Sequence, residues 1–403
     1  MVHNRGVTNQ KEPELKPTQE TTVRPRSRSF RAWIAVGVLA LFVVLGFTLA
    51  LMPVPFVIQS PGPTVNVLGS QGDVEVLEFS QSGAEEFLES WEEDVVLPEV
   101  RGHEESDGQL RMVTVSELGG PGSTVRGIDW LQALFSPSST VSAYSDLYDD
   151  SVTAEGLKEA ASAQMTSSHS TSAIAAYEYL GIPMDSTLTV AGAVPGSDAD
   201  GQVEEGDILV SLGLPSGVTE IVDAPSVPFS VMKTVAPGST VDVTVERDGQ
   251  TIVVPVVTAA AEGEEGSKLG IYLTAQTETP LNVDFNLERI GGPSAGLIFS
   301  LGIIDQLSDH DLTGGNIIAG TGAMSFTGDV MPIGGVKQKM YGASRDGAEW
   351  FLVPVDNCAD VIGNEPEGLH VIPVSVLSEG VDAVEAIAAG EGDNLPTCEA
   401  AMG

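Results

Sequence analysis

An uncharged run of 20 residues, Trp33 to Met52 (WIAVGVLALFVVLGFTLALM), constrains this chain more than any other feature. A bilayer core about 30 Å thick is crossed by about 20 apolar residues in helical form. The run therefore predicts one transmembrane helix over 33–52. The alternative is a cleaved signal peptide, with Thr48-Leu49-Ala50 as a weak cleavage site. A signal h-region is usually only about 7–15 residues long, which favours the span. Charge divides at the same place. Residues 1–31 hold seven basic and three acidic side chains, a net +4, so the rest of the chain carries −43 of the total −39. Arg24, Arg26, Arg28 and Arg31 lie directly before the run. The positive-inside bias then places the basic tail 1–31 in the cytoplasm and everything after Pro53 outside it.

A chain with 57 Asp+Glu against 18 Lys+Arg is a poor nucleic-acid binder, because little would neutralise phosphates. At 42% hydrophobic residues it still has material for packed cores, and 403 residues suggest two or three domains. Two cysteines exclude a four-thiolate zinc site, and the five histidines form no His-x-x-x-His pair. No phosphate-binding G-x-x-x-x-G-K-[ST] loop is visible, so the chain does not hydrolyse ATP through a P-loop. No metal and no cofactor is expected. Outside the cytoplasm thiols tend to oxidise, and Cys358 and Cys398 are expected to pair there.

After the span, residues 53–69 read as an extended exit punctuated by Pro and Gly. Gln109–Val115 alternates as a strand should, and Trp130–Phe135 reads as a short helix. Glu85–Glu105 is acidic and expected to be exposed. Thr153 is a plausible N-cap for one long helix that stops at Gly181, with a weak point at Thr166–Thr171, where hydroxyls compete with the backbone. Residues 180–258 form an all-β pattern. Val241, Val243 and Val245 alternate with polar residues, and Asp248-Gly249 marks a hairpin turn. The stretches VPGSDADGQVEEGDILVSLG (194–213) and PGSTVDVTVERDGQTIVV (237–254) resemble a PDZ domain. PDZ domains capture extended peptides as an added strand. The resemblance implies that Tyr179, Leu180, Gly181 and Ile182 form the carboxylate-binding loop. The alternative is a small β module that only packs on its neighbour. Asp198, Asp200, Glu204, Glu205 and Asp207 lack calcium-loop spacing and read as a solvated face.

Residues 289–347 carry the chemistry. Gly291-Gly292-Pro293-Ser294-Ala295-Gly296 introduces an apolar helix-like run, Leu297 to Leu307. A serine near a helix N-terminus sits among outward-pointing N–H groups, which suits an acyl-transfer oxyanion. It can equally be an ordinary cap. Downstream, Gly320-Thr321-Gly322 leads to Gly334-Gly335-Val336-Lys337-Gln338-Lys339. Lys337 follows two glycines and opens a helix, where dipole and burial both disfavour its ammonium. A neutral amine can serve as general base.

GGPSAGLIFSLG, TGAMSFTGDVMPIGGVKQKMYGA and RDGAEWFLVP resemble the proteolytic domain of the Lon proteases over about 266–390. That resemblance implies Ser294 as nucleophile and Lys337, the first lysine of the G-G-hydrophobic-K-x-K motif, as its base. It also implies Thr321 as the group that orients them. Lys339, the second lysine of the motif, is expected to be a helix-surface charge. The backbone N–H groups of Gly292, Ser294 and Ala295 are the expected oxyanion donors. The family often has an acidic residue three before the serine, and this chain has Gly291.

One span, a PDZ module and a Lon domain without its ATPase also resemble the membrane-anchored PDZ–Lon proteins (YlbL-like) of Gram-positive bacteria. The expected fold class is α+β: a mixed α/β Lon-type domain and a β-rich PDZ domain, preceded by one transmembrane helix. The expected divisions are tail 1–31, span 33–52, an extracytoplasmic region 53–179 that supplies strands to the protease domain, PDZ 180–258, protease 266–390 and tail 391–403.

Gly292-x-Ser294-x-Gly296 also fits a G-x-S-x-G elbow, with Asp356 or Asp360 and then His370 in triad order. No helix–strand series of that fold precedes it, and His370 reads as a strand residue. The expected protein is a membrane-anchored, ATP-independent Ser–Lys endopeptidase acting outside the cytoplasm on unfolded or flexible chains. Homo-oligomers are implied by the Lon resemblance alone. The alternative is a peptide-binding membrane scaffold whose Lon-like domain is inactive or cleaves only itself.

Overall fold

The computed structural model describes residues 28–81, 84–89, 96–101, 108–149, 151–261, 266–287 and 290–403. Most of the basic tail, and parts of the acidic stretch between Glu85 and Glu105, lie outside the described residues. The chain divides into two units, residues 1–52 and 53–403. In the first, helix α1 (Arg28–Leu51) exposes its apolar side chains all round, Trp33, Leu41 and Phe47 among them. A helix that is apolar on every side is stable only when something covers it.

In the second unit, β1 (Pro53–Val54) is followed by the long strand β2 (Phe56–Asn66) and by β3 (Gln109–Leu118). Then come β4 (Val125–Arg126), helix α2 (Gly127–Leu134) and β5 (Thr140–Ala143). Helix α3 (Ala154–Leu180) starts where the sequence predicts: the Thr153 hydroxyl accepts from Gly156 N–H at 3.1 Å. It runs unbroken through Thr166–Thr171. There the hydroxyls donate to carbonyls one turn back, Thr171 to Ser167 O at 2.9 Å, so the helix absorbs them.

A β-rich module interrupts the chain next. Its sheet contains β6 (Asp185–Ala193), β7 (Ile208–Gly213), β8 (Thr240–Arg247), β9 (Gln250–Val257) and β10 (Ile271–Glu278), in the order β9-β8-β7-β6-β10. Val241, Val243 and Val245 all point into the module's own core, as their alternation predicts. Helix α4 (Val227–Thr234) closes it. The module is longer than the 180–258 expected. β10 pairs with β6 from Ile271↔Ala193 to Glu278↔Asp185, so residues 271–278 belong to this sheet and not to the one that follows.

The chain then returns through helix α5 (Gly296–Leu307), β11 (Ile317–Gly320), helix α6 (Val336–Arg345), β12 (Trp350–Pro354), β13 (His370–Val374) and helix α7 (Leu377–Ala388). The main sheet runs β13-β12-β11-β3-β2-β5. Its first four strands are parallel, and β3 joins β11 in register Gln109↔Ile317 to Met112↔Gly320. Strands from before the module thus complete the sheet of the segment after it. Side chains alternate across the sheet, with Leu352 in one core and Phe351 and Val353 in the other. α5, wholly buried, packs on the first face with α3 and α7; α6 packs on the second. The α+β expectation holds.

Cys358 and Cys398 form a disulfide with their Cα atoms 5.0 Å apart, tying the last helical turn (Cys398–Ala401) to the second core. Closing a loop of this length constrains the unfolded chain by about 4 kcal/mol. Replacing both cysteines with alanine is expected to lower the unfolding free energy by about that amount in urea titrations. An unchanged midpoint would contradict the assigned tie.

Candidate active site

Ser294 sits in the bend just before α5, and four hydrogen bonds fix that bend. Gly292 N–H donates to Ala161 O at 3.1 Å, and the buried Ser168 hydroxyl donates to Pro293 O at 3.2 Å, both from α3. Gly322 N–H and the Thr321 hydroxyl each donate to Ser294 O at 2.9 Å. Gly292 has φ +96°, a conformation that disfavours any side chain. Of the three expected oxyanion donors, Gly292 is corrected: its N–H is already spent on Ala161. The N–H groups of Ser294 and Ala295 have no partner among the described residues.

The lysine assignment is also corrected. Lys337 is half-exposed and does not line the cleft beside Ser294. Lys339, expected on the surface, is only 3% exposed and does line it. The cause is helical phase. α6 begins at Val336, and Val336, Lys339, Met340 and Ala343 (i, i+3, i+4, i+7) share its buried face, whereas Lys337 is rotated about 100° from Val336. The apolar spacing of Val336, Met340 and Ala343 carried this signal in the sequence.

Lys339 Nζ donates to the Thr321 hydroxyl at 3.1 Å, and that hydroxyl donates onward to Ser294 O. Thr321, fully buried, therefore joins lysine and serine loop as expected of an orienting group. Burial alone pushes the Lys339 ammonium down to about 7. The cleft holds about 580 Å³ and is walled by Pro63, Met112–Ser116 of β3, Met165 of α3, Ile290–Ala295 and Pro332–Gly334. Strand β3 and Met165 come from before the module. Nothing local in the sequence marks them as part of the site, because the wall is contributed from as far as about 180 residues away.

Residues 289–385 match the family model of the Lon protease (S16) C-terminal proteolytic domain. The chain carries a Lon-type proteolytic domain. Over 132 residues it is 35% identical to the archaeal Lon protease of Methanocaldococcus jannaschii, covering 29% of this chain and 20% of that one. It is 33% identical over 140 residues to the Lon protease of Metamycoplasma arthritidis, covering 34% and 16%. With Lon protease 2 of Bacillus subtilis the figures are 34% over 95 residues, 24% and 17%. The chain thus spans a fifth or less of these relatives' lengths. Among solved structures, the PDZ domain of an SdrC-like protein from Listeria innocua is 14% identical, with a TM-score of 0.19 and coverage of 22% of this chain and 92% of that one.

The expected peptide-binding loop is not a free loop. Tyr179 and Leu180 form the last turn of α3. Gly181 caps it with φ +68°; its N–H and that of Ile182 donate back to Glu178 O and Tyr177 O. These are the hydrogen bonds of a helix C-cap, and they leave neither donor for a carboxylate. Ile182 is buried in the Lon-type domain's core. The rival triad fails as well. His370 opens β13 against Trp350, with ring centres 4.6 Å apart, and neither it nor Asp356 nor Asp360 lines the Ser294 cleft.

Lys339 titrates near 7 when folded and near 10.5 when unfolded, so between those values the unfolded chain holds more protons. Stability therefore rises with pH across that window. Lys339→Met is expected to raise stability by roughly 2–4 kcal/mol at pH 7 and by little near pH 10. Thermal denaturation across pH 6–10 measures this, and a variant less stable at pH 7 would contradict a buried lysine whose ammonium is disfavoured by burial.

Proposed function

We propose that this protein is a Ser–Lys endopeptidase that works without ATP, with Ser294 as nucleophile and Lys339 as general base. The observation that carries the proposal is Lys339, buried in the Ser294 cleft and hydrogen-bonded to Thr321. A neutral lysine amine has two N–H donors and one lone pair. One N–H is held by Thr321, which leaves the lone pair free to accept the Ser294 proton. Ser294 Oγ then attacks the scissile carbonyl, and the Ser294 and Ala295 N–H groups receive the developing oxyanion. Lys339 returns the proton to the leaving amine, and water, deprotonated by the same group, releases the acyl-enzyme.

Unfolded or flexible chains are the proposed substrates. β3 pairs with β11 only as far as Met112, and Val113–Ser116 wall the cleft beyond it. An extended chain laid there would continue the sheet. The β-rich module is proposed to deliver such chains, by a surface other than residues 179–182. Its helix α4 meets the Lon-type domain in the segment that leads to the cleft wall Pro332–Gly334: Lys233 Nζ lies 2.7 Å from Asp329, and Phe229 stacks on Phe326 at 5.6 Å. With the span reading of α1, catalysis takes place outside the cytoplasm, where the Cys358–Cys398 bond persists.

Cleavage of an unfolded protein is expected to fall at least about a thousandfold in Ser294→Ala and in Lys339→Arg, since arginine stays protonated. Lys337→Ala is expected to keep near-native activity. The rate should rise tenfold per pH unit below about 7 and level off above it. Equal loss in Lys337→Ala and Lys339→Ala, or cleavage that survives Ser294→Ala, would reject the assignment. Absence of cleavage across pH 6–10 would favour the scaffold reading.

A further inference from the structure

The surface that does not fit a water-exposed domain is the outer face of α2. Ile128, Leu131, Leu134 and Phe135 fall within about a third of the helix circumference, and Phe135 is 82% exposed. The opposite face is apolar too: Trp130 and Ala133 pack with Ile58, Val125 and Val141. A helix apolar on both faces is normally buried, and a cluster of large exposed apolar groups marks a covered surface.

The cover follows from connectivity. Pro53 is bonded directly to Met52, the last residue of the uncharged run. In β1, Pro53 pairs with Arg126 and Val54 with Val125, so α2 starts one residue after Pro53's partner. Paired antiparallel strands are about 5 Å apart, and eight helical residues extend about 12 Å. All of α2 therefore lies within about 20 Å of the point where the chain leaves the run. The same corner holds further aromatic groups. Phe56 stacks on Trp130 at 5.6 Å, and Tyr144 lies 5.4 Å from Tyr148 at the short helix Tyr144–Leu147, whose first N–H bonds Pro55 O. Tryptophan and tyrosine favour the water–lipid boundary, where one end of the ring is wet and the other apolar.

We propose that α2 is a membrane-interface element: its Ile128, Leu131, Leu134 and Phe135 face enters the outer lipid surface. The proposal rests on the reading of Trp33–Met52 as a span. The attraction is apolar, because Asp129 and Asp146 near this corner would gain nothing from anionic headgroups.

The two native cysteines are bonded to each other, so an introduced cysteine is the only free thiol to label. Full-length Phe135→Cys, Leu131→Cys, Leu41→Cys and Val218→Cys variants, each carrying an environment-sensitive fluorophore, are reconstituted into phosphatidylcholine vesicles. The proposal expects labels at 131 and 135 to shift to the blue and to lose about half or more of their emission to lipids spin-labelled near the headgroup. The label at 41 should be quenched by lipids spin-labelled deeper in the chain, and the label at 218 should behave as in water. Quenching at 41 with none at 131 and 135 overturns the proposal and leaves the span standing. No quenching at 41 removes the span reading and the proposal with it. Blue shifts at 131 and 135 without lipid quenching, reversed when the protein is diluted in lipid, assign the face to a second copy and also overturn it.

Discussion

A lysine held inside the protein with no counter-ion among the described residues is the constraint on which the rest of the Lon-type domain turns. Only burial lowers the affinity of Lys339 for its proton, so the cost of enclosing it must be met by packing elsewhere. The packing is visible around it. Met340 and Ala343 lie on the same face of α6, against Val113, Ala319, Phe351 and Val353 of the sheet. On the other side of the sheet every residue of α5 is buried. Ser294 and Lys339 thus hang from helices on opposite faces, and Thr321, just past the end of β11, is the polar link between them.

This layout explains why the bend before α5 needs so many supports. Ser294 must stay in register with a group on another layer. The bend is tied to α3 through Ala161 and Ser168 and to the β11 end through Thr321 and Gly322. A helix that precedes the module in sequence therefore positions the residue proposed to do the chemistry after it.

Much of this was legible in the sequence, because the signals are local. The apolar run, the Thr153 cap, the Gly181 stop, the alternating valines and the glycine-flanked serine each act over a few residues. A local motif with two members is ambiguous. Two lysines two positions apart differ by about 200° around a helix, so only one can face the cleft. Glycines before Lys337 pointed to the helix start, whereas Val336, Met340 and Ala343 determined its phase. Tyr179 to Ile182 failed for a related reason: a Gly after a helix serves as its cap before it serves any ligand. The cleft wall of β3 and the reach of the module's sheet to Glu278 are long-range pairings with no local signature.

The pairing of Asp185 with Glu278 places the module's first and last strand residues opposite one another. The module thus leaves and rejoins the Lon-type domain at a single stem. Its own valine-rich core shares no buried residue with the cores that hold Ser294 and Lys339. Such an insertion can be lengthened, exchanged or lost while the sheet that carries the site keeps its register. The packing of the module and the packing around the cleft therefore rest on separate cores of one polypeptide.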